Sequence, residues 1–508
     1  MPAPVAPAAD PPAPEPTPRQ AWDPAAAYRA LLARDARFDG RLFVGVTSTG
    51  VYCRPVCRVR TPKAENCRFF HTPAQAESAA FRPCLKCRPE VAPGWSHTDA
   101  AHSLAGSAAL VLNQALHEGT GTDLAGLAQR LGISDRHLRR IFQQAHGVSP
   151  RDYLATQRLL LAKHLLTDTD WPITQVALAS GFDSLRRFNA AFVERYRMPP
   201  SRLRQAGRHA DTSTNAETGH SALRLAWRPP YDLPAMLHFL QRRALPGVEV
   251  VQGLALRRTL RWAVEGGPAL HGWLQLQFHP ERHELRLTAA PVFAPVLGAL
   301  LRRVRHALDL DADPEAVDSV LQRLPVPLRP GTRLPGSFDS FETAVRVVLG
   351  QQVTVQAART LTQRLVDRFG EPIATPFADL NRLFPCATTL AHASPDSLGE
   401  LGIVRQRVKA LQALAGAVAS GALQLSPLAP LESTLEALLA LPGIGPWTAQ
   451  LIALRVLAWP DAWPGSDIGL LNALGSRDVA ATTAQAEAWR PWRSYAVVRL
   501  WTALEPPP

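Results

Sequence analysis

The sequence has no apolar run long enough to cross a membrane, and it has only six cysteines among its 508 residues. A membrane-spanning helix needs about 20 consecutive apolar residues, so a membrane partner is not expected. Residues 1–20 are mostly Pro and Ala with little charge, which predicts a disordered tail and not a secretory signal. Hydrophobic residues make up 46% of the chain, enough for several domains with cores of their own. We therefore expect a cytoplasmic multidomain protein.

Four of the six cysteines form two closely spaced pairs, Cys53 with Cys57 and Cys84 with Cys87. Each pair can hold one edge of a tetrahedron, and thiolates suit zinc, so the spacing predicts one Zn²⁺ bound by all four sulfurs. Disulfides are the competing interpretation, although the chain lacks the secretory segment that would favour them. The two remaining cysteines, Cys67 and Cys386, are expected to be inert buried thiols.

The surroundings of these cysteines resemble the amino-terminal domain of the Ada methylation-response proteins over residues 22–91. The resemblance rests on Thr-Gly-Val-Tyr-Cys-Arg-Pro-Val-Cys at 49–57, Glu-Asn-Cys at 65–67 and Phe-Arg-Pro-Cys-Leu-Lys-Cys-Arg-Pro-Glu at 81–90. In that family the first zinc ligand takes a methyl group from a methylated DNA phosphate, which implies that Cys53 is the acceptor here. Methylation would remove one negative charge from the cluster and strengthen phosphate binding. A zinc knuckle with no reactive sulfur is the competing interpretation.

Two helix-turn-helix patterns follow, and together they resemble an AraC-type DNA-binding domain over residues 98–207. The first turns at Gly132, with Ser134 capping the next helix, and the second turns near Gly181. In each unit the second helix buries apolar residues and leaves polar side chains outward, where they could enter successive major grooves. The outward side chains expected to face DNA are Arg136, His137, Arg140, Arg186, Arg187 and Asn189.

Positive charge is concentrated in the front half of the chain. Residues 21–207 hold 25 Lys and Arg against 15 Asp and Glu, a balance of +10 out of +12 for the whole sequence. This distribution indicates that the front half binds DNA mainly through electrostatics. The expected partner is double-stranded DNA, both operator DNA and damaged DNA, which would place the protein in the nucleoid. RNA polymerase is a further expected partner if the protein activates transcription.

Residues 441–449 read Leu-Pro-Gly-Ile-Gly-Pro-Trp-Thr-Ala, a Gly-x-Gly hairpin that leads into a helix. Free amides at a helix start can hold a phosphate, which makes Gly443, Gly445 and Thr448 candidate DNA contacts. Asp467 lies 22 positions beyond Gly445, and a carboxylate beside such an anchor could act on a nucleoside sugar. Taken singly, an Asp before an apolar run is usually a helix cap.

The back half resembles the helix-hairpin-helix alkylation-repair glycosylases of the DNA-3-methyladenine glycosylase II (AlkA-type) branch, across about residues 221–504. Beside the hairpin, the matching segments are Trp-Arg-Pro-Pro-Tyr-Asp at 227–232, Leu-Pro-Gly at 334–336, Phe-Asp-Ser-Phe-Glu at 338–342, Leu-Gly-Gln-Gln-Val at 349–353, Pro-Gly-Ser-Asp at 464–467 and Trp-Arg-Pro-Trp-Arg-Ser-Tyr-Ala at 489–496. The resemblance implies that Asp467 stabilises an oxocarbenium-like transition state or orients water.

The resemblance also assigns the substrate pocket and the outcome of the reaction. Strand-cleaving members carry a Lys two residues after the second hairpin Gly, where this chain has Trp447, so we expect hydrolysis to an abasic site without a Schiff base. Trp501 matches the family's stacking Trp, and with Trp447 it could bind a cationic purine, although both rings could instead be core. Leu451 replaces a frequent Tyr, and Gln352 replaces an apolar wedge that fills the gap of a flipped base.

These observations predict a multidomain, mainly α protein with α+β parts. The expected parts are a disordered tail (1–20), a small zinc-bound α/β domain (21–93), an all-α double helix-turn-helix domain (98–207), a linker (208–220), an α+β glycosylase N-domain (221–330) and an all-α helix-hairpin-helix glycosylase core (331–508).

The expected function combines repair with regulation. It joins hydrolytic release of 3-methyladenine and 7-methylguanine to a methylphosphotriester sensor that activates transcription. One rival is a methylation-responsive activator whose glycosylase-like half only clamps DNA, and a second is a glycosylase whose Cys53 is unreactive. The Pro-Cys-His-Arg acceptor site of alkylguanine transferases is missing, so reversal of guanine oxygen alkylation is not expected.

Overall fold

The computed structural model describes residues 21–93, 134–169, 171–210, 222–264, 267–427 and 429–504, together with Ala108, Ala109, Leu112 and Ala128. The predicted tail, the turn at Gly132 and most of the predicted linker lie outside these residues. None of the helices within the described ranges is both long and apolar enough to cross a bilayer.

The zinc domain is a small α/β unit with a four-stranded sheet in the order β3-β1-β2-β4. Its elements are α1 (Pro24–Leu32), β1 (Phe43–Val46), β2 (Val51–Cys53), β3 (Cys67–Phe70), α2 (Pro73–Ser78) and β4 (Arg82–Pro83). Asp23 caps α1 and Thr72 caps α2, each accepting backbone N–H bonds through its side chain. Gly45 on β1 is needed because an added Cβ would lie 2.8 Å from the Phe70 ring.

The helix-turn-helix domain is all α in its described part. It contains α3 (Asp135–His146), α4 (Pro150–Asp168), α5 (Ile173–Ala179), α6 (Leu185–Tyr196) and α7 (Pro200–Ala210). Ser134 caps α3 as predicted, and Ser184 caps α6 in the same way, each side chain accepting a backbone N–H three residues on. Helix α7 continues three residues into the segment predicted as linker.

The next domain packs helices on a five-stranded antiparallel sheet in the order β5-β9-β8-β7-β6. It comprises β5 (Leu223–Ala226), α8 (Leu233–Arg243), β6 (Glu249–Gln252), β7 (Ala255–Trp262), β8 (Leu270–His279), β9 (Glu284–Ala289), α9 (Leu297–Ala307) and α10 (Pro314–Leu321). The alternating apolar residues at 273–278 and 285–287 predict two strands that face each other, and Leu276 does lie opposite Leu287.

The carboxy-terminal domain is mainly helical, with a non-helical segment at 370–386 that contains an isolated β-bridge between Pro372 and Arg382. Its helices are α11 (Ser340–Leu349), α12 (Val355–Phe369), α13 (Ala387–His392), α14 (Pro395–Gly399), α15 (Arg405–Ala419), α16 (Leu431–Leu439), α17 (Pro446–Arg455), α18 (Ile468–Ala473), α19 (Val479–Ala486) and α20 (Arg493–Ala503). The predicted hairpin joins α16 to α17. Gly443 at its tip has φ +81, and an added Cβ would lie 2.8 Å from the Cβ of Ala410 on α15.

One hydrophobic core crosses a predicted domain boundary. Leu161 and Phe192 of the helix-turn-helix domain belong to the same buried cluster as Leu223, Trp227 and Leu287 of the following domain. The sequence predicted separate units joined by a linker, yet the two domains bury apolar surface against each other. The predicted fold class is confirmed, with this closer packing as an addition to it.

Candidate active site and metal centre

Asp467 is both the N-cap of α18 and the meeting point of two tryptophans. Its Oδ1 accepts the backbone N–H of Leu470 at 3.1 Å and the indole Nε1–H of Trp501 at 2.9 Å. Its Oδ2 accepts the Nε1–H of Trp447 at 2.9 Å. The carboxylate is half-buried and so are both rings. The structure therefore brings the predicted carboxylate and both predicted pocket tryptophans together.

The two rings also pack against the hydrophobic cores, so the core interpretation is partly right. Trp447 contacts the core of the helical domain, and Trp501 contacts that core and the one shared with the preceding domain. Each ring remains half exposed, with its N–H directed at Asp467. A tryptophan that packs on one side and fixes a carboxylate on the other can hold that carboxylate rigidly.

The hairpin presents an open surface at Gly445, the N-cap of α17. An added Cβ at this residue would meet nothing within 4 Å, so a phosphate could approach the backbone closely. Pro446 occupies the first helical position, where a missing N–H costs no hydrogen bond. The amides of the first turn of α17 lack intrahelical partners and are available to a DNA phosphate.

Thr448 was predicted to contact DNA through the free amides of the helix start, and its side chain faces the protein instead of solvent. Its side chain is buried, and its hydroxyl accepts a hydrogen bond from Nε2 of Gln351 at 2.9 Å. The same Gln351 amide donates to the carbonyl of Gly443 at 2.9 Å. Thr448 thus anchors the hairpin, and only its backbone amide remains as a candidate phosphate donor. Sequence reasoning missed Gln351 because it lies about 90 residues from its partners.

Gln352 is exposed and has φ +54, in the left-handed region that non-glycine residues rarely adopt. The turn that carries it is held because Arg407 donates to the carbonyl of Gln351 at 2.6 Å. A protruding side chain on a fixed turn fits the predicted wedge position. Leu451, by contrast, is 9% exposed and belongs to the core of the helical domain, so it offers little open surface to a base.

Gly469, which the sequence analysis did not single out, lies directly beside the Asp467 carboxylate. An added Cβ there would lie 2.9 Å from Oδ1 of Asp467 and 3.2 Å from the indole of Trp501. The glycine two residues after the carboxylate was the available signal. An ion pair also anchors the start of α20, the helix that carries Trp501. Arg493 donates to both carboxylate oxygens of Asp461 at 2.8 Å.

A cleft lies beside Trp501, between α8 of the sheet domain and α20 of the helical domain. Its lining includes Met236, Phe239, Arg333, Val498, Trp501 and Thr502. Arg333 is buried and stacks on the ring of Tyr231, with its guanidinium carbon 4.9 Å from the ring centroid. Both glycosylase-like domains therefore contribute to the surroundings of Trp501.

The four predicted zinc ligands lie together. The sulfurs of Cys53, Cys57, Cys84 and Cys87 are all within 4.8 Å of one another, and the cysteines carry free thiols. Contacts among the sulfurs lower the pKa of the Cys57 and Cys84 thiols and raise the pKa of the Cys53 thiol, while burial raises the pKa of the Cys87 thiol. Four soft donors at this spacing fit a tetrahedral Zn²⁺. The disulfide interpretation is wrong, and the zinc prediction is confirmed.

The two other cysteines lie apart from the cluster. Both are half-buried and not fully buried as predicted. The sulfur of Cys67 lies 3.3 Å from the carbonyl of Lys63, and partial burial raises the pKa of this thiol. Cys386 contacts the hydroxyl of Thr389 at 3.1 Å. A raised pKa keeps Cys67 in its unreactive thiol form, in agreement with the predicted inertness.

The predicted DNA-facing side chains of α3 and α6 lie on the outer faces of those helices. Five are exposed and His137 is half exposed; the exposed residues are Arg136, Arg140, Arg186, Arg187 and Asn189. The pairs they form are weak surface contacts, such as the one between Arg187 and Asp183 at 3.4 Å. These side chains are free of the core and remain predicted DNA contacts.

Comparison with known families gives four matches in order along the chain. They are the metal binding domain of Ada (26–90), a helix-turn-helix domain (127–206), the AlkA N-terminal domain (222–339) and the HhH-GPD superfamily base excision DNA repair protein (345–491). The matched ranges follow the expected order of parts.

Whole relatives show the same arrangement. A probable bifunctional transcriptional activator/DNA repair enzyme AlkA of Mycobacterium tuberculosis is 38% identical over 489 residues, covering 94% of this chain and 96% of the relative. DNA-3-methyladenine glycosylase 2 of Escherichia coli is 35% identical over 282 residues, 54% of this chain and 95% of that protein. The regulatory protein ada of Salmonella typhimurium is 35% identical over 152 residues, 30% of this chain and 41% of that protein.

Proposed function

Because this chain belongs to the family of bifunctional transcriptional activators and DNA repair enzymes of the AlkA type, we propose that it hydrolyses the N-glycosidic bond of alkylated purines in double-stranded DNA and reports methylation damage to a promoter. The observation that carries the repair half is the carboxylate of Asp467, held by two indole N–H groups beside the hairpin. The substrates we infer are 3-methyladenine and 7-methylguanine.

The carboxylate acts on the sugar. As the bond from C1′ to the base nitrogen breaks, positive charge grows on the ring, and the negative charge of Asp467 stabilises it. An alkylated purine is already cationic and leaves as a neutral base, so this route does not depend on a general acid. Water adds to C1′ and yields an abasic site. The two indole donors keep the carboxylate in place without neutralising its charge.

Three side chains around Asp467 and the hairpin support this route. Trp447 occupies the position of the amine in strand-cleaving relatives of the superfamily, and an indole cannot attack the sugar as a nucleophile. The half-exposed ring of Trp501 offers an electron-rich surface to a cationic base, an attraction of roughly 0.5–2 kcal/mol. Gln352, exposed on its turn, would fill the gap left by the flipped nucleotide.

The zinc domain is proposed to accept a methyl group on Cys53. Bound zinc keeps its thiolate ligands deprotonated at neutral pH and leaves the cluster with a charge of about −2. The Cys53 thiolate attacks the methyl carbon of a phosphotriester, the S–C bond forms, the C–O bond breaks, and an anionic phosphodiester leaves. The cluster then carries one negative charge fewer and repels DNA less.

The regulatory half is proposed to bind operator DNA through α3 and α6 and to contact RNA polymerase, as a transcription activator requires. The exposed side chains on both helices support major-groove binding, since they are free to reach base edges and phosphates. We place the protein with the DNA, in the nucleoid of the cytoplasm.

Alkylated duplex DNA tests the repair half directly. We expect free methylated bases, abasic sites in otherwise intact strands, and no covalent complex after borohydride treatment. Tight binding without release of any base would instead support the rival clamp, which the buried Leu451 and the polar Gln352 favour.

Mass spectrometry tests the acceptor. After exposure to DNA that contains methyl phosphotriesters, the peptide with Cys53 should carry one added methyl group, and the Cys67→Ser variant should gain it equally. A protein that binds this DNA but gains no methyl group on Cys53 would leave the zinc domain as a structural unit.

A further inference from the structure

Two of the zinc ligands are each followed by a buried arginine. Arg54 comes directly after Cys53, and Arg88 comes directly after Cys87; they are 8% and 6% exposed. The backbone N–H of Arg54 points to the sulfur of Cys87 at 3.3 Å, and its Nη1 donates to the Cys87 carbonyl at 3.0 Å. Both arginines reach from the metal cluster toward other parts of the chain.

The first route leads from Arg54 to the glycosylase N-domain. Its guanidinium pairs with the buried carboxylate of Asp39, with Nε to Oδ1 at 2.8 Å. The carbonyl of Asp39 accepts Nε–H of Arg228 at 2.9 Å, and Arg228 donates in turn to the carbonyl of Asp311 at 2.6 Å. Arg228 is fully buried and belongs to the segment just after β5. Three arginine and aspartate contacts thus connect the acceptor's neighbour to the glycosylase.

The contact between the zinc domain at Asp39 and the glycosylase N-domain at Arg228, called the joint below, is closely packed. An added Cβ at Gly40, next to Asp39, would lie 1.9 Å from the carbonyl oxygen of Pro93 and 3.2 Å from Nη2 of Arg228. Close-packed interiors are poorly compressible and transmit strain, so a change in volume near this contact shifts the backbone around it.

The second route leads from Arg88 through the helix-turn-helix domain to β5, which directly precedes the segment of Arg228. Arg88 forms an ion pair with Asp168 at the end of α4, and it also donates to the hydroxyl of Thr167 at 2.6 Å. The other oxygen of Asp168 accepts the backbone N–H of Arg224 on β5 at 3.2 Å. Both routes therefore end within one short stretch of the glycosylase N-domain, residues 224–228.

We propose that the face of the zinc domain around Asp39 and Arg88 is a docking surface for this chain's own glycosylase N-domain, and that methyl transfer to Cys53 loosens it. The proposal rests on the acceptor role proposed above. Arg54 lies between the cluster and Asp39, because it contacts both Cys87 and the Asp39 carboxylate, and its attraction to the cluster weakens when the cluster loses one negative charge. The methyl group also adds volume where Cys53 is already buried, so the surrounding residues must shift to make room for it.

The biological consequence is a signal from the damage sensor to the repair enzyme within one molecule. Methylation loosens the contact between the sensor and the glycosylase N-domain, so that the sensor can bind a DNA site of its own. By linkage, any binding event that opens the joint also favours methyl acceptance.

Hydrogen exchange on the full-length, zinc-loaded protein tests this docking. Cys53 is methylated with methyl-phosphotriester DNA, the DNA is removed, and intact mass verifies one added methyl group. Amides in residues 38–42 and 222–228 should exchange roughly tenfold faster after methylation, because exchange reports the opening of the local contact. The hairpin at 441–448 should exchange unchanged. Equal exchange at 222–228 in verified methylated protein overturns the proposal.

A charge variant separates docking from acceptance. Asp39→Asn removes the carboxylate that pairs with Arg54 but keeps the carbonyl that binds Arg228. It should raise exchange at 222–228 without any methylation, and methylation should then add little, since both changes act on one contact. Fully additive effects contradict the coupling. If mass shows no methyl group, the acceptor role has failed, and a fast-exchanging Asp39→Asn protein still supports the docking surface.

Two further variants control the experiment. Glu315→Gln removes an exposed ion pair with Arg37 at 3.8 Å across the same joint, and it should leave exchange unchanged. If Asp39→Asn fails to fold, Arg54→Lys is the alternative variant. It keeps the positive charge but loses the bidentate contact with Asp39, so exchange at 222–228 should rise by less than in Asp39→Asn. An Arg54→Lys protein that exchanges like the parent at 222–228 overturns the proposal.

Discussion

Glu77 on α2 is a buried carboxyl group at the contact between the zinc domain and the helix-turn-helix domain. It accepts hydrogen bonds from the hydroxyls of Tyr52 and Thr156, both at 3.1 Å, and Nε of Arg195 lies 3.6 Å away. Burial is the largest influence and raises the pKa of Glu77 to about 7, from 4.5 for an ordinary glutamate. The charged form is therefore unfavourable in the folded protein.

The sign of the pH dependence follows from the raised pKa. Below the unfolded pKa of 4.5 the group is protonated in both states and carries no penalty. As pH rises toward the folded pKa, the unfolded state loses the proton first, and folded stability falls. Above about pH 7 the penalty is constant at roughly 3 kcal/mol, from about 1.4 kcal/mol per pH unit.

The Glu77→Gln variant should remove this penalty. We expect the contact to be more stable than in the parent by up to about 3 kcal/mol near pH 8 and by almost nothing near pH 4.5. Hydrogen exchange of α2 and of the facing part of α4 measures it, since comparing variant and parent at one pH cancels the intrinsic rates. Glu65→Gln, at an exposed site of the same domain, is the matched control. If the stability difference between Glu77→Gln and the parent is the same at pH 4.5 and at pH 8, Glu77 does not have the raised pKa.

Three other substitutions, with one control, probe the active site and the DNA reader. Trp447→Phe removes one donor to Asp467, and because a hydrogen bond to a charged group contributes about 1.5–3 kcal/mol, single-turnover base release should fall roughly ten- to a hundredfold. Gly469→Ala places a methyl group 2.9 Å from the Asp467 carboxylate and should lower base release with the fold retained. Its control is Gly416→Ala, in open space on α15, which should leave base release unchanged and stabilise the helix by about 0.5–1 kcal/mol. Arg186→Ala should weaken operator binding and reduce its salt dependence by about one ion, measured as the slope of log affinity against log salt.

Local patterns in the sequence predicted local structure well. Ser134 caps α3 because its side chain can accept an N–H three residues on, a geometry that depends only on neighbouring residues. The facing of Leu276 and Leu287 follows from two alternating runs separated by a short turn. The four zinc cysteines are also a spacing signal, since each pair is held within a few residues.

Long-range side-chain contacts were beyond the sequence. The indole bonds to Asp467 come from residues 20 and 34 positions away, and no periodicity marks where an N–H will point. The contact between Arg228 and Asp39 spans 189 residues. The predicted DNA contact of the Thr448 amide stays a prediction, and the hydrogen bond of its hydroxyl to Gln351 depends on packing that a motif does not record.

The central claim is that the carboxylate of Asp467 carries out hydrolysis on DNA held by the hairpin. The most direct test measures release of 3-methyladenine and 7-methylguanine from methylated duplex DNA by the parent protein and by Asp467→Asn, at matched DNA binding. The amide keeps the size of the side chain but not its charge, so we predict release by the parent and a loss of at least about a hundredfold in the variant. Equal release of bases by both proteins would show that the Asp467 carboxylate is not required. No release by a parent that is folded and bound to DNA would show that the protein is not a glycosylase for these bases.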